Sequence, residues 1–81
     1  MSIRVLFFAS LADIAGGRER FVEPDEVTDV LSVFNLLAAE FPAMETHRAS
    51  ILYALNSEFV RSDAPVRDGD EIAFLPPVSG G

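Results

Sequence analysis

The stretch VLSVFNLLAAEF, residues 30–41, decides the fold of this chain because it carries a sustained helical pattern. Its apolar residues recur three and four positions apart, so they line one face of an α-helix. Either Asp25 or Thr28 is expected to cap the helix start, and Pro42 ends the helix because the residue before a proline avoids helical geometry. The apolar stripe, which needs a broad apolar surface to cover it, comprises Val30, Leu31, Phe34, Leu37, Ala38 and Phe41.

Two segments upstream of the helix predict an N-terminal hairpin. Residues 3–8 are rich in β-branched and aromatic side chains, which favours a strand. Residues 18–23 predict a second strand, and the turn-prone residues up to Gly16 and Gly17 provide the reversal between the two. Pro24 to Glu26 then interrupt the strand pattern.

Downstream of the helix, Ala43 to Ser50 are predicted to form a loop or a short helical turn. Residues 51–55 and 59–60 form a second hairpin around Asn56, which tolerates the left-handed backbone of a tight turn. Residues 71–75 form a last strand. The predicted order is ββαββ with one more short strand, an α+β fold in which one main helix packs on one face of a mixed sheet.

Composition excludes several classes of function. The 81 residues form a single domain, with thirteen carboxylates against six arginines and a net charge of -7. Nucleic acid and anionic membranes are therefore not expected as partners, because both require clustered positive charge. No cysteine is present to form a disulfide or a thiolate metal site. The sequence has neither a signal-peptide layout nor an apolar run of about 18–20 residues, and the protein is expected in the cytoplasm.

Side chains that could catalyse a reaction are scarce. His47 stands alone in a polar segment, whereas a hydrolytic triad or a metal site needs several converging groups. The acidic segment from Asp68 to Glu71 resembles the start of a calcium loop, but Ser79 occupies the twelfth position, where a bidentate glutamate belongs. Phosphate-binding glycine motifs are also missing. The chain is therefore expected to bind no metal or cofactor and to catalyse nothing alone.

Two predicted strands are apolar on both faces, which is unusual where only one face meets a helix. In the first strand Leu6 and Phe8 point away from the core, and in the last strand Leu75 does the same. Phe59 of the second hairpin extends this surface. Contiguous exposed apolar surface usually marks a partner, so these four residues are predicted to form a partner interface. The alternative is a central strand pair covered by a loop.

The sequence finishes on Pro76-Pro77 followed by Val78, Ser79, Gly80 and Gly81. A proline pair stiffens the exit from the last strand, and glycines without a Cβ can thread through a narrow channel. A terminal carboxylate is a poor electrophile until another enzyme activates it, for example as an acyl-adenylate. It can then accept sulfur or an amine. The alternative is a frayed end with no function.

The last fourteen residues, DGDEIAFLPPVSGG, closely resemble the end of the molybdopterin synthase small subunits, a family of ubiquitin-like sulfur carriers. The opening IRVLFFAS, residues 3–10, is similar to the first strand of that family. The resemblance runs the length of the chain, with the helix and residues 43–50 matching least. It implies a ubiquitin-like β-grasp domain over residues 1–75 and a flexible Gly-Gly tail over residues 76–81.

The family resemblance also implies a chemistry. Gly81 would be adenylated with ATP by an enzyme of the ubiquitin-activating type, converted to a thiocarboxylate, and would donate sulfur to a cyclic pyranopterin on the synthase large subunit. Val78, Ser79 and Gly80 would line the inserted tail. Phe8, Phe59 and Leu75 fall where the family packs on its large subunit, in a heterotetramer. Leu75 departs from the phenylalanine that is common in the family.

Two other functions stay open at this stage. A carrier of the same kind could supply sulfur for thiazole or amino-acid synthesis, with a thiazole synthase as its partner in the first case. A plain binding module with an incidental Gly-Gly end is the other alternative. Since the sequence ends at Gly81, no peptidase is expected to be needed to expose the reactive carboxylate.

Overall fold

A five-stranded mixed sheet carries the main helix on one of its faces in the computed structural model, which describes residues 2–76. The predicted α+β arrangement is confirmed. The elements follow in the order β1 (Ile3–Phe7), α1 (Ser10–Ala15), β2 (Glu19–Val22), α2 (Val30–Glu40), β3 (Leu52–Leu55), β4 (Glu58–Val60) and β5 (Glu71–Leu75), with 3-10 turns at Pro24–Glu26 and Pro42–His47.

The sheet has the strand order β2-β1-β5-β3-β4. Its centre is the parallel pair of β1 and β5, in which Val5 lies beside Ile72. The outer pairs, β1 with β2 and β3 with β4, are antiparallel hairpins, and β3 joins β5 in the antiparallel sense. The first and last strands of the chain are therefore neighbours. Because these two strands are adjacent, their outward-pointing side chains can form one continuous surface.

The core lies between the sheet and α2. In β1 the buried residues are Ile3, Val5 and Phe7, and in β5 they are Ile72 and Phe74, as the alternation predicts. The ring of Phe74 occupies the centre of an aromatic cluster. Its centroid lies 5.7 Å from those of Phe34 and Tyr53, and 6.1 Å from that of Phe7.

The cap of α2 differs from the prediction. Neither Asp25 nor Thr28 caps it, because Asp25 lies in the Pro24–Glu26 turn and the helix begins after Asp29. The carboxylate of Asp29 accepts from the Ser32 N–H at 2.8 Å, and the Asp29 N–H donates to the Ser32 hydroxyl at 3.0 Å. This reciprocal capping box satisfies two backbone donors that the helix itself leaves unpaired.

The reversal between β1 and β2 also differs from the prediction. The two strands pair as expected, but the connection contains the helix α1 rather than a simple turn. Ala9 enters it with a φ of 53°, and Gly16 ends it with a φ of 73°, a left-handed conformation that glycine adopts without strain. Burial of Leu11 against the core stabilises the helix. Its six residues are too few for helical propensity alone.

The second half of the chain agrees more closely with the sequence patterns. The β3–β4 turn contains Asn56 and Ser57, with φ values of 50° and 73°, as expected of a two-residue hairpin. The Asn56 side chain ties this turn to β5, because its oxygen accepts from the Glu71 N–H at 2.9 Å. The segment predicted as a loop or helical turn forms the 3-10 turn Pro42–His47, which buries Met44.

Candidate functional site

The face of the sheet that points away from α2, here called the open face, carries the candidate site. Paired residues on neighbouring strands point to the same side, so the strand register arranges the open face in rows. A first row crosses the sheet through Phe21, Arg4 and Glu71. A second row, Glu19, Leu6, Ala73, Ala54 and Phe59, and a third row, Phe8, Leu75 and Leu52, follow from the same pairings.

The second and third rows contain the apolar patch, defined as Leu6, Phe8, Leu52, Ala54, Phe59, Ala73 and Leu75. Phe59 is the most exposed of them, at 73%, while Phe8 and Leu52 are each 45% exposed. Ala54 and Ala73 lie side by side at its middle. Because their side chains are short, the surface forms a shallow depression between Leu6 and Phe59. A protruding apolar group of a partner fits such a depression.

All four residues that the sequence predicts for a partner interface lie within this patch. Phe8 stands one residue beyond β1, and its N–H donates to the Phe74 carbonyl at 3.3 Å, which places it beside Leu75. Sequence reasoning missed Leu52, because the side to which a residue of β3 points depends on its register. Its pairing with Leu75 turns it to the open face.

The third row of the patch borders the place where the chain leaves the sheet. Leu75, the last residue of β5, lies in that row, and Pro76 follows it directly. The residues predicted to form the inserted tail, Val78, Ser79, Gly80 and Gly81, lie outside the described residues. A protein that binds the patch is therefore brought next to the start of this segment.

The first row, in contrast, is charged at two of its three positions, Arg4 and Glu71. Arg4 lies between two carboxylates: its Nε is 2.5 Å from Glu19 Oε2 and its Nη1 is 2.9 Å from Glu71 Oε2. The hydrogen bond with Glu19, aided by the charge of Glu71, raises the pKa of Arg4 above its ordinary value. Beside it, a groove of about 580 Å³ runs over Arg4, Leu6 and Phe8 toward Arg18. This row closes one side of the patch with polar groups, as the rim of an interface does.

The described residues offer no conventional catalytic centre. Within residues 2–76, no group of three or more histidine or acidic side chains is placed to hold a metal ion. His47 lies at the end of the Pro42–His47 turn, which packs against α2. Asp70 is engaged by the Arg67 N–H at 2.8 Å and by the Asn56 amide at 3.0 Å, so its segment forms a turn. Among these same residues, none of the helices meets the length and apolarity that a membrane span requires.

Comparison with known proteins gives a consistent result. The model of the ThiS family matches residues 5–81. The molybdopterin synthase sulfur carrier subunit of Escherichia coli (strain K12) is 38% identical over 81 residues, covering 98% of this chain and 99% of that protein. Both chains are therefore matched over nearly their whole lengths.

Solved structures agree with the fold. The crystal structure of SAMP1 from Haloferax volcanii, a small archaeal modifier protein, matches with a TM-score of 0.83 and 32% identity over the whole of both chains. A complex of subunits 1 and 2 of the molybdopterin-converting factor from Helicobacter pylori 26695 matches with a TM-score of 0.69 and 26% identity, again over both full chains. The expected ubiquitin-like β-grasp fold is thereby confirmed.

Proposed function

Because the chain belongs to the ThiS family, we propose that it is the sulfur-carrying subunit of a molybdopterin synthase. An adenylating partner of the ubiquitin-activating type uses ATP to convert the carboxylate of Gly81 into an acyl-adenylate, releasing pyrophosphate. A sulfur nucleophile then displaces AMP and leaves a thiocarboxylate. This group donates its sulfur to a cyclic pyranopterin held by the large subunit, and water restores the carboxylate. The chain carries and delivers the sulfur atom, and its partners supply both the sulfur and the catalytic groups.

The observation that carries this proposal is the apolar patch beside Pro76. A carrier must be gripped by a partner and must at the same time extend its end into that partner's active site. The patch satisfies both needs because its third row, Phe8, Leu75 and Leu52, borders the exit of the chain from the sheet. The similarity to a sulfur carrier subunit and to a subunit of a two-subunit complex supports the same assignment.

Docking on the large subunit is proposed to bury Leu6, Phe8, Phe59 and Leu75. Val78, Ser79 and Gly80 then line the channel that receives Gly81, since small side chains pass where larger ones collide. The family resemblance suggests two carriers and two large subunits in the assembly. We place these steps in the cytoplasm, where the ATP for adenylation is available.

Intact-mass measurement tests the proposal directly. The chain is co-expressed with the adenylating enzyme and a sulfur source, and the expected result is a mass gain that corresponds to one oxygen replaced by sulfur. Deleting Gly81 should abolish the gain, whereas Asn35→Ala, a change at an exposed position of α2, should leave it intact. An unchanged mass with every adenylating partner tried would end the proposal. A gain that persists without Gly81 would do so too.

The similarity to an archaeal modifier protein favours a second candidate function. The same activated carboxyl group can be attacked by an amine of another protein instead of by sulfur, which produces a covalent conjugate. Immunoblots of cell extracts distinguish the two outcomes, because conjugates migrate more slowly on denaturing gels and resist thiols. A carrier for another sulfur pathway would show the mass gain but would fail to support pyranopterin conversion. A plain binding module would tolerate loss of Gly80 and Gly81.

A further inference from the structure

The strand β2 forms one edge of the sheet and offers free backbone groups to a partner. The Phe7 N–H donates to the Arg18 carbonyl at 2.9 Å, and hydrogen-bonded pairs alternate along an antiparallel ladder. The N–H and carbonyl groups of Glu19 and Phe21 consequently point away from β1. Within residues 2–76 no other segment pairs with this edge, because β2 is the last strand of the sheet.

A groove runs along this edge, between β2 and α2. It has a volume of about 190 Å³, and its apolar residues are Phe21, Val22, Leu36 and Leu37. Two of them are substantially exposed, with 58% of Phe21 and 37% of Leu36 open to solvent. Backbone donors beside an apolar groove are the combination by which sheets capture extended peptides, through main-chain hydrogen bonds and side-chain pockets.

The charges around the groove select the chemistry of its occupant. Carboxylates line it at Glu23, Glu26 and Glu40. Of the described residues that line the groove, Arg20 is the one cation, and it is already engaged. It forms an ion pair with Glu40, and its guanidinium lies 5.2 Å from the centroid of the Phe41 ring. The rim is therefore acidic, and it favours a partner that carries lysine or arginine.

A second copy of the chain is a poor occupant of the same edge. An antiparallel pairing of two β2 strands about a two-fold axis at Phe21 places Glu19 opposite Glu23 of the other copy, twice in each dimer. Like charges directly opposite each other destabilise a strand pair. The edge therefore disfavours its own copy and accepts a basic strand.

We propose that the β2 edge binds an extended segment of a partner protein in which apolar residues are flanked by lysine or arginine. The segment adds to the sheet as a sixth strand beside Glu19 and Phe21. Its alternating apolar side chains pack on Phe21 at the open face and on Leu36 at the helix face, and its basic side chains meet Glu23 and Glu26. This surface shares no residue with the apolar patch, so a partner can bind the β2 edge while another protein binds the patch.

Nuclear magnetic resonance of the ¹⁵N-labelled chain tests this inference. The probe is the acetylated and amidated peptide Lys-Lys-Val-Val-Val-Lys-Lys, and the comparison peptide has glutamate in place of each lysine. We expect the basic peptide to shift the amide signals of Glu19 and Phe21 in a saturable way and to slow their hydrogen exchange. The acidic peptide should leave them unchanged. Shifts centred on Leu6 and Phe59, or equal binding of both peptides, would overturn the inference.

Substitutions make the test specific to the edge. The Phe21 N–H points outward, so Phe21→Pro removes a donor without breaking a bond to β1, and it should weaken binding about ten-fold. The double variant Glu23→Gln/Glu26→Gln keeps the backbone intact and should weaken binding about five-fold at low salt. The matched control, Glu58→Gln on the opposite edge strand, should bind the peptide as the parent does. Equal affinity of the double variant and the control would refute the role of the acidic rim.

Discussion

Truncating Phe59 tests whether the apolar patch is the docking surface of the carrier. Because 73% of this residue is exposed in the isolated chain, its ring contributes little to the fold. We expect Phe59→Ala to change the free energy of unfolding by no more than about 0.5 kcal/mol, which is usual for a surface position. The same change should markedly weaken binding to the large synthase subunit.

The size of this effect follows from the exposed area. A phenylalanine side chain presents roughly 200 Å², and 73% of the residue is still exposed, which leaves about 150 Å² to be buried by a partner. At about 25 cal/mol per Å² the burial is worth about 3–4 kcal/mol. Alanine retains part of that area, so the expected loss is about 2–3 kcal/mol, or roughly 30- to 150-fold in Kd.

Isothermal titration calorimetry with the purified large subunit measures this affinity. The matched control is Phe21→Ala, a residue of the same type that is 58% exposed on the same open face but lies in the charged row. It should bind the large subunit nearly as the parent chain does. A Kd for Phe59→Ala within two-fold of the parent value, or an equal loss in the control, would refute the assignment of the patch.

Three further predictions concern stability and ionisation. Asp29→Ala removes the acceptor of the Ser32 N–H, and it should cost about 1 kcal/mol and lower the melting temperature by about 4–8 °C. Phe74→Ala empties the fully buried centre of the aromatic cluster, so urea unfolding should show a loss of about 3–5 kcal/mol. Burial raises the pKa of Tyr53, against a smaller opposite effect of the Arg48 charge. The folded state thus holds the phenolic proton more tightly than the unfolded state, and this stabilisation is lost as pH rises through the folded pKa. Tyr53 is the one tyrosine of a chain without tryptophan, so a pH titration followed by phenolate absorbance reports on it alone. The midpoint of this titration should lie at a higher pH in buffer than in concentrated urea.

Conservative variants provide the controls for these three predictions. Asp29→Asn keeps an accepting oxygen and should melt close to the parent; a melting temperature as low as that of Asp29→Ala would contradict the capping argument. Phe74→Leu retains most of the buried volume and should lose much less stability than the alanine variant. For Tyr53, titration midpoints at the same pH with and without urea would show that folding does not change the pKa of its phenol.

The periodicity of apolar residues predicted the helices and strands well wherever burial in the core imposes that periodicity. The bounds of β5 agree with the sequence pattern to the residue, because each inward side chain of that strand is buried. On α2 the predicted stripe omitted Val33, which is fully buried, and included Leu31, which is half-buried. The two residues differ by about half a turn of helix, so their burial depends on how α2 is rotated over the sheet. That rotation is a tertiary property.

Local patterns failed where long-range packing decides the structure. The segment that forms α1 has no helical signal long enough to stand alone, and burial of Leu11 in the core stabilises it instead. The cap of α2 was missed because Asp25, Thr28 and Asp29 are all competent N-cap residues. Only the reciprocal bonds between Asp29 and Ser32 select one of them.

The strand order gives a physical reason to expect that binding and delivery are coupled if the chain is the carrier proposed above. Because β1 and β5 are parallel neighbours at the centre of the sheet, the chain leaves the sheet beside Phe8 and Leu52 rather than at a remote edge. Five residues follow Pro76, and a chain of that length spans at most about 17 Å. If a partner binds the third row of the patch as proposed, the chain length alone keeps Gly81 within about 17 Å of Pro76. Docking at the far edge, near β2, would place β1 between the docked partner and the exit of the chain at β5. Two strand spacings of about 4.8 Å each would then use more than half of the length that five residues can span.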